Sequence, residues 1–230
     1  MKSLDLNYLE RTAEKSGIVL RAYREVTSTN DICLVDREAD AVAASGQTSG
    51  RGTRGRPYIC PIGYGVYFSV KIRKTGASSD FLRAVTPMCG VSLALAVRGK
   101  TGKDARIKWV NDLYLSGKKI AGILCEYNGR DIICGIGLNL FLSEAVAEVP
   151  GAGSLFADGD TPPEHTAEDI VLDTVRGILR CADSPEECFE QYRGLLLPEY
   201  RQYTVLRLNP DFTLTVRDSG GGEITFDSPI

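Results

Sequence analysis

Two extended runs, Lys118 to Tyr127 and Arg130 to Leu140, are joined by Asn128-Gly129. Both residue types reach positive φ at low cost, so Asn-Gly between apolar, β-branched runs is the strongest short hairpin signal a sequence can carry. The middle of the chain is thereby committed to antiparallel pairing. Ser116-Gly117 supplies a second turn, between Arg106 to Val110 and Lys118. Further extended runs are Ile18 to Tyr23, Asp40 to Ala44 and the alternating Val66 to Ile72.

Helical patterns are interspersed with these strands without strict alternation. Residues 5 to 16 predict a helix with Asp5 as N-cap and Gly17 as C-cap. Ser78-Ser79-Asp80 precede a helical pattern from Phe81 to about Gly99, which Pro87 should kink or divide. Two more helices are expected around 167 to 181 and 184 to 197, the second opened by Ser184-Pro185. From Tyr203 the chain alternates like β-structure, with a turn at Ser219 to Gly222. The fold class that follows is α+β: a mixed, largely antiparallel sheet with helices packed on it, plus a short C-terminal β appendage. Residues 1–200 should form the main domain. Residues 201–230 are too few to fold alone and should pack on it.

Composition is that of a soluble globular protein, 43% hydrophobic and 25% charged over 230 residues. A net charge of −3 argues against a general nucleic-acid binder but leaves room for a local basic pocket. The seven cysteines include no CxxC pair, so scattered reduced thiols are expected rather than a disulfide framework or zinc ribbon. The N-terminus carries no apolar run, and Ala84 to Val97 is broken by Pro87 and Gly90. The expected setting is cytoplasmic, with no membrane partner. A single histidine, His165, rules out a histidine-rich metal site.

The most unusual segment is Gly50-Arg51-Gly52-Thr53-Arg54-Gly55-Arg56. It contains GxGxxG, but Pro57 and Pro61 follow where a dinucleotide-binding helix would have to open, and no Lys-Ser or Lys-Thr completes a Walker A loop. What is left is a glycine loop with three guanidinium groups, suited to closing over a phosphate or carboxylate; a solvated basic loop accounts for it about equally well. Lys108-Trp109-Val110-Asn111-Asp112 and Lys119 to Leu124 form a second feature. A lysine among apolar strand residues can balance a carboxylate or stabilise an acyl-phosphate, and Asp112 beside Asn111 offers oxygens of the kind magnesium prefers. Taken alone, a routine hairpin with snorkelling lysines fits them better. Ser28-Thr29-Asn30 with Gln47 could satisfy a neutral ureido ring, or Ser28 could simply cap a helix. Gly135 and Gly137 would let a strand lie against a flat ligand or mark a bulged core strand.

In their order and spacing these segments resemble one family. Ser28-Thr29-Asn30, Gly46 to Gly52, Lys108 to Asp112, Lys119 to Glu126 and Gly135 to Asn139 together resemble the catalytic domain of biotin protein ligases, from about Tyr23 to Asn139 and loosely to about 200. The resemblance implies a class II synthetase-like domain and an enzyme that uses ATP, biotin and Mg2+. Such an enzyme activates biotin to biotinyl-5′-AMP and transfers it to a lysine of the biotin carboxyl carrier domain of a carboxylase such as acetyl-CoA carboxylase. It further implies Ser28, Thr29, Asn30, Gln47, Gly50, Arg51 and Gly122 at biotin. Arg54, Arg56, Lys108, Asn111 and Asn139 would serve ATP or the adenylate. Lys119, Arg51 and Asp112 would serve catalysis, with Asp112 also a magnesium ligand. Family members often pair through a sheet edge, so a homodimer is compatible with the resemblance. Only 27 residues precede Ser28, which argues for a monofunctional ligase lacking a DNA-binding domain.

The sequence departs from the family at Thr53, where a second loop arginine is usual, at Tyr58 in place of tryptophan and at Val110 in place of proline. The C-terminal β-module also looks shortened. Two rival readings remain: a lipoate or octanoate ligase or transferase, and a biotin-binding or adenylate-binding relative without transferase activity; a plain interaction module would leave the clustered glycines and arginines unexplained.

Overall fold

Antiparallel pairing organises most of the chain, as the central hairpin signal requires. The computed structural model describes residues 4–185, 187–200 and 202–227. Seven strands, β1 (Leu20–Tyr23), β2 (Ala41–Ala44), β3 (Gly65–Arg73), β4 (Arg106–Lys108), β5 (Asp112–Leu115), β6 (Lys118–Tyr127) and β7 (Asp131–Asn139), build one sheet in the order β1-β2-β3-β7-β6-β5-β4. Only β1 and β2 run parallel. The helices are α1 (Leu6–Glu14), α2 (Thr29–Val35), α3 (Ser79–Thr101), α4 (Glu144–Ala147), α5 (Thr166–Asp183) and α6 (Glu187–Leu195). A second, antiparallel sheet holds β8 (Glu199–Tyr200), β9 (Tyr203–Leu208), β10 (Leu214–Arg217) and β11 (Glu223–Phe226), in the order β11-β10-β9-β8.

Strand alternation gives the large sheet two different faces. Ile132, Cys134, Ile136 and Leu138 join the main core, which α3, α5 and α6 complete. Ile133 turns the other way, into a small cluster with Cys33, Ala39 and Val42 beneath α2. The glycines of β7 share that second face, so α2 and β7 enclose a shelf with little side-chain bulk. Each buried Leu, Phe or Met of the main core contributes about 1.5–3 kcal/mol by leaving water, and α3 alone buries Phe81, Met88 and Leu93.

The turns follow residue chemistry. Ser116 (φ 50°) and Gly117 (φ 78°) are both left-handed, the requirement of a two-residue type I′ hairpin. The Asn128-Gly129 hairpin takes in Arg130 as well. Gly129 has φ 92°, while Asn128 Oδ1 accepts from the backbone N–H of Arg130 at 2.9 Å and Asp131 at 2.8 Å. Asp5 caps α1 by accepting from Tyr8 N, but the C-cap is Lys15 and the left-handed Gly17 lies two residues on.

Three sequence expectations are corrected. Pro87 does not divide its helix: α3 runs unbroken through 23 residues, because burial on both sides of Pro87 (Val85, Met88, Cys89) holds the turn in which one backbone bond is lost. By length and apolarity α3 could cross a membrane, but 72% of its most apolar stretch is buried inside the fold, as in a core helix. Next, β5 was not foreseen; its four residues are too few for alternation to show. Finally, the cysteines are not all reduced. Cys181 at the end of α5 is bonded to Cys188 in α6, with Cα atoms 6.5 Å apart, because the α5–α6 turn folds the two helix ends together.

Candidate active site

Site residues from four parts of the sequence meet on the shelf between α2 and strands β6 and β7. Ser28 caps α2, its Oγ accepting from Asp31 N at 3.4 Å, which fixes the helix start and with it Thr29 and Asn30. Thr29 donates from both N and Oγ1 to Gln47 Oε1, at 2.7 and 3.0 Å. Ser69 of β3, fully buried, has its hydroxyl 2.8 Å from Thr29 Oγ1 and 2.7 Å from Asn30 Oδ1. Asn30 Nδ2 donates to Glu126 Oε2 at 2.6 Å. The result is a connected neutral network with one carboxylate at its margin. Sequence inspection singled out Ser28, Thr29, Asn30 and Gln47 but missed Ser69, which is 39 residues from Asn30 and sits in a strand that looks merely buried.

The strands of the shelf carry glycine there, which lets the side chains of Asn30 and Tyr58 lie directly against them. Gly122 of β6 pairs directly with Gly137 of β7, and Gly135 pairs with Leu124. A Cβ at Gly135 would lie 2.2 Å from Asn30 Oδ1, and one at Gly137 would lie 2.4 Å from the Tyr58 ring. Tyr58 covers this pair of glycines and donates from its hydroxyl to Gly137 O at 3.0 Å; its burial pushes the phenol well above its ordinary pKa. Gly50 has a steric reason of its own: a Cβ would meet Tyr58 O at 2.5 Å.

The glycine-rich loop is drawn back toward α2. Arg51 makes a bidentate pair with Asp31, at 2.8 and 2.7 Å, and reaches Glu126 at 3.3 Å. The Arg51 guanidinium holds the Asp31 carboxyl below its usual range. Residues Thr53–Gly55 form a short 3-10 turn in which Arg54 has φ 62°. Arg56 bends back to donate to Thr53 O and Thr53 Oγ1, each at 3.3 Å. Asp31 and Glu126 are thus partners of Arg51 that no local pattern could reveal, being 20 and 75 residues away.

A second charged group lies at the other end of β6. Asp112, only 8% exposed, stands 2.7 Å from Lys119 Nζ and 3.7 Å from Lys108 Nζ. Lys119 is anchored through its backbone, donating to Gly151 O and accepting from Gly153 N, both at 2.8 Å. Its Nζ would be 3.3 Å from a Cβ at Gly122, so the ammonium borders the glycine shelf. Asn111 and Asn139 are engaged structurally. Asn111 Nδ2 donates to Ile123 O at 3.3 Å, and Asn139 Nδ2 to Gly153 O at 3.0 Å, joining β7 to the 148–156 loop. The Trp109–Val110 peptide bond is cis.

Two buried thiols flank the neutral network. Burial raises Cys60 to about 11 against the acceptance of a Gln47 hydrogen bond, and burial raises Cys33 to about 12. Both thiols stay protonated in the folded state above the ordinary value of 9.0 at which they ionise when unfolded. The unfolded chain then binds fewer protons, so stability falls as pH rises from about 9 toward 11–12. Urea unfolding midpoints should decline across this window, and a Cys33→Ala, Cys60→Ala double variant should decline less steeply. An equal decline in both would remove these thiols as the cause.

Residues 21–139 match the biotin/lipoate A/B protein ligase family. The chain is 34% identical over 140 residues to the bifunctional ligase/repressor BirA of Escherichia coli K12, covering 56% of this chain and 42% of that protein. It is 31% identical over 167 residues to the biotin–[acetyl-CoA-carboxylase] ligase of Paracoccus denitrificans, covering 70% of this chain and 61% of that protein. The chain thus spans less than half the length of BirA that it is compared with. Among solved structures, the biotin protein ligase of Aquifex aeolicus in complex with biotin and ATP superposes with a TM-score of 0.74 at 21% identity. The match covers 91% of this chain and 96% of the Aquifex one. That likeness bears out the α+β expectation of a mixed sheet with packed helices and a small C-terminal sheet.

Proposed function

The chain belongs to the biotin/lipoate A/B protein ligase family, and from that premise we propose that it joins biotin to AMP and then to a lysine of a biotin carboxyl carrier domain. The observation that carries this reading is the glycine shelf of β6 and β7. Neutral hydrogen-bonding groups lie at one end of it, and a lysine–aspartate–lysine group borders the other. A ureido ring is uncharged and flat. It needs donors and acceptors without buried charge, which Ser28, Thr29, Asn30 and Gln47 offer, and a flat surface, which Gly122 and Gly137 offer once the Tyr58 ring that covers them swings aside. The carboxylate end of the same molecule needs cations, and Lys119 borders the shelf where that end would lie.

In the first step a biotin carboxylate oxygen forms a bond to the α-phosphorus of ATP, and the phosphorus–oxygen bond to pyrophosphate breaks. Two anions must approach, so Lys119 lowers the barrier by facing the charge that builds at the phosphoryl oxygens. Asp112, between Lys119 and Lys108, orients both ammonium groups. Arg51 joins them by exchanging its carboxylate partners Asp31 and Glu126 for the ligand anion, and Gly50 lets the backbone follow. Arg54 and Arg56 lie on the same loop and serve the adenylate phosphate. Asn111 and Asn139 hold the backbone around the nucleotide end. In the second step the acceptor amine attacks the acyl carbon, loses a proton, and AMP leaves with the bonding pair.

Magnesium is implied by ATP chemistry, yet Asp112 is already paired with two lysines and belongs to no group of three or more carboxylate, thiol or imidazole ligands among the described residues. Such a set does not fit a protein-held magnesium ion, which prefers several free oxygens.

The test is to incubate the protein with biotin, ATP, magnesium and a biotin carboxyl carrier domain and weigh the carrier. A gain of one biotin that requires ATP and is not produced by lipoate supports the proposal. A gain only with lipoate or octanoate transfers the chain to the sister activity, and no gain with any acid leaves a binding protein. The loop makes a further prediction. Thr53→Arg should prolong retention of biotinyl-adenylate severalfold in a single-turnover trap, since a guanidinium returns to a loop that faces the phosphate. Retention equal to the unmodified chain would overturn the idea that Thr53 weakens the hold on the adenylate.

A further inference from the structure

On the sheet face turned away from the shelf, three cysteines converge from three elements. Cys89 projects from α3, Cys125 from β6 and Cys134 from β7, where Cys125 and Cys134 are direct cross-strand partners. Their sulfur atoms all lie within 4.8 Å of one another, and Cys89 Sγ and Cys125 Sγ are 4.0 Å apart. Cys89 and Cys134 are fully buried, while Cys125 is partly exposed. Buried cysteines usually serve as small apolar side chains, and a single one here would need no other account. Three from separate elements with their sulfurs at one point are a different matter. Three sulfurs arranged in a plane around one ion at about 2.3 Å would stand about 4.0 Å from each other.

The chemistry of the donor set narrows the ion. Among the described residues, no histidine, aspartate or glutamate joins the group. An all-sulfur set rejects hard cations such as magnesium and calcium and selects soft ones. Zinc would need a water or another fourth ligand beside the three sulfurs, whereas the set by itself completes the shell of a three-coordinate ion. We propose that Cys89, Cys125 and Cys134 form a trithiolate site for a soft, three-coordinate cation of the monovalent copper class. Binding releases thiol protons, and the affinity rises with pH.

The site lies one strand thickness from the shelf. Cys134 precedes Gly135, which packs on Asn30, and Cys125 lies between Leu124 and Glu126, both of which accept from Asn30 Nδ2. An ion there would tie α3 to the strand pair that carries the shelf. The proposal stands independently of the activity assigned above.

The experiment uses the full chain carrying Cys181→Ser and Cys188→Ser, reduced and without oxygen, titrated with monovalent copper held by a chromophoric competitor. One equivalent should leave the competitor per chain, and the thermal midpoint should rise with ion concentration. Cys125→Ser and Cys89→Ala should each weaken binding at least 100-fold, whereas Cys33→Ala, on the opposite sheet face, should not. X-ray absorption on the chain with all three thiols intact should give three sulfur neighbours at one distance, a readout that holds even if a variant fails to fold. Less than one equivalent bound, unchanged binding in Cys125→Ser, or fewer than three sulfur neighbours would overturn the proposal.

Discussion

Replacing Lys119 with alanine is expected to slow pyrophosphate release from biotin and ATP by about 10²–10³-fold, the usual cost of removing one preorganised group that faces developing charge. The side chain is one-third exposed and its backbone is held by Gly151 and Gly153, so the fold should survive its loss. Asp112 would retain Lys108 at 3.7 Å and would not become an unpaired buried charge. Burst kinetics with circular dichroism on the same sample would separate a chemical defect from misfolding. A loss of less than about fivefold with the fold intact would remove Lys119 from the reacting centre.

Gly137→Ala is expected to weaken biotin binding more than tenfold and to cost about 1–3 kcal/mol of stability, as overpacking does in a well-filled site. The added carbon would stand 2.4 Å from the Tyr58 ring and 2.9 Å from its Cζ. The ring must move away, its hydroxyl bond to Gly137 O breaks, and the methyl group stays on the surface proposed for the biotin ring. Gly99→Ala, in α3 where nothing lies within 4 Å of the new carbon, is the matching control and should leave binding unchanged. Calorimetric titration with biotin, paired with urea unfolding, reads both quantities. Equal affinities in the two variants would place the ligand elsewhere.

How much of this was legible in the sequence depends on the range of the interaction concerned. Turns and caps are local, so Ser116-Gly117, Asn128-Gly129 and the N-cap Asp5 could be read directly from residue chemistry. Ser28, Thr29, Asn30 and Gln47 were recognisable as polar residues in a particular order, and the structure joins Thr29 to Gln47 and makes Ser28 the cap of α2. The partners that give those residues their present roles were not legible. Glu126 lies near the end of an ordinary-looking strand, and only the pairing of β6 with β7 beneath α2 brings it to both Asn30 and Arg51. Asn111 and Asn139 read as polar groups available to a ligand, yet both spend their amides on backbone carbonyls. The Cys181–Cys188 bond and the three-sulfur group escaped for the same reason: each depends on how separate elements pack, and spacing along the chain does not encode that.

Trp109 has one edge in each part of the molecule. It lies between Lys108 and the strand that begins at Asp112, and its indole N–H donates to Phe212 O, in the turn between β9 and β10, at 2.9 Å. Phe212 in turn packs edge-on against Phe189 and Tyr192 of α6. The small sheet therefore works as a buttress for the β4–β5 hairpin, joined through Trp109 to the strands that carry the lysine–aspartate group.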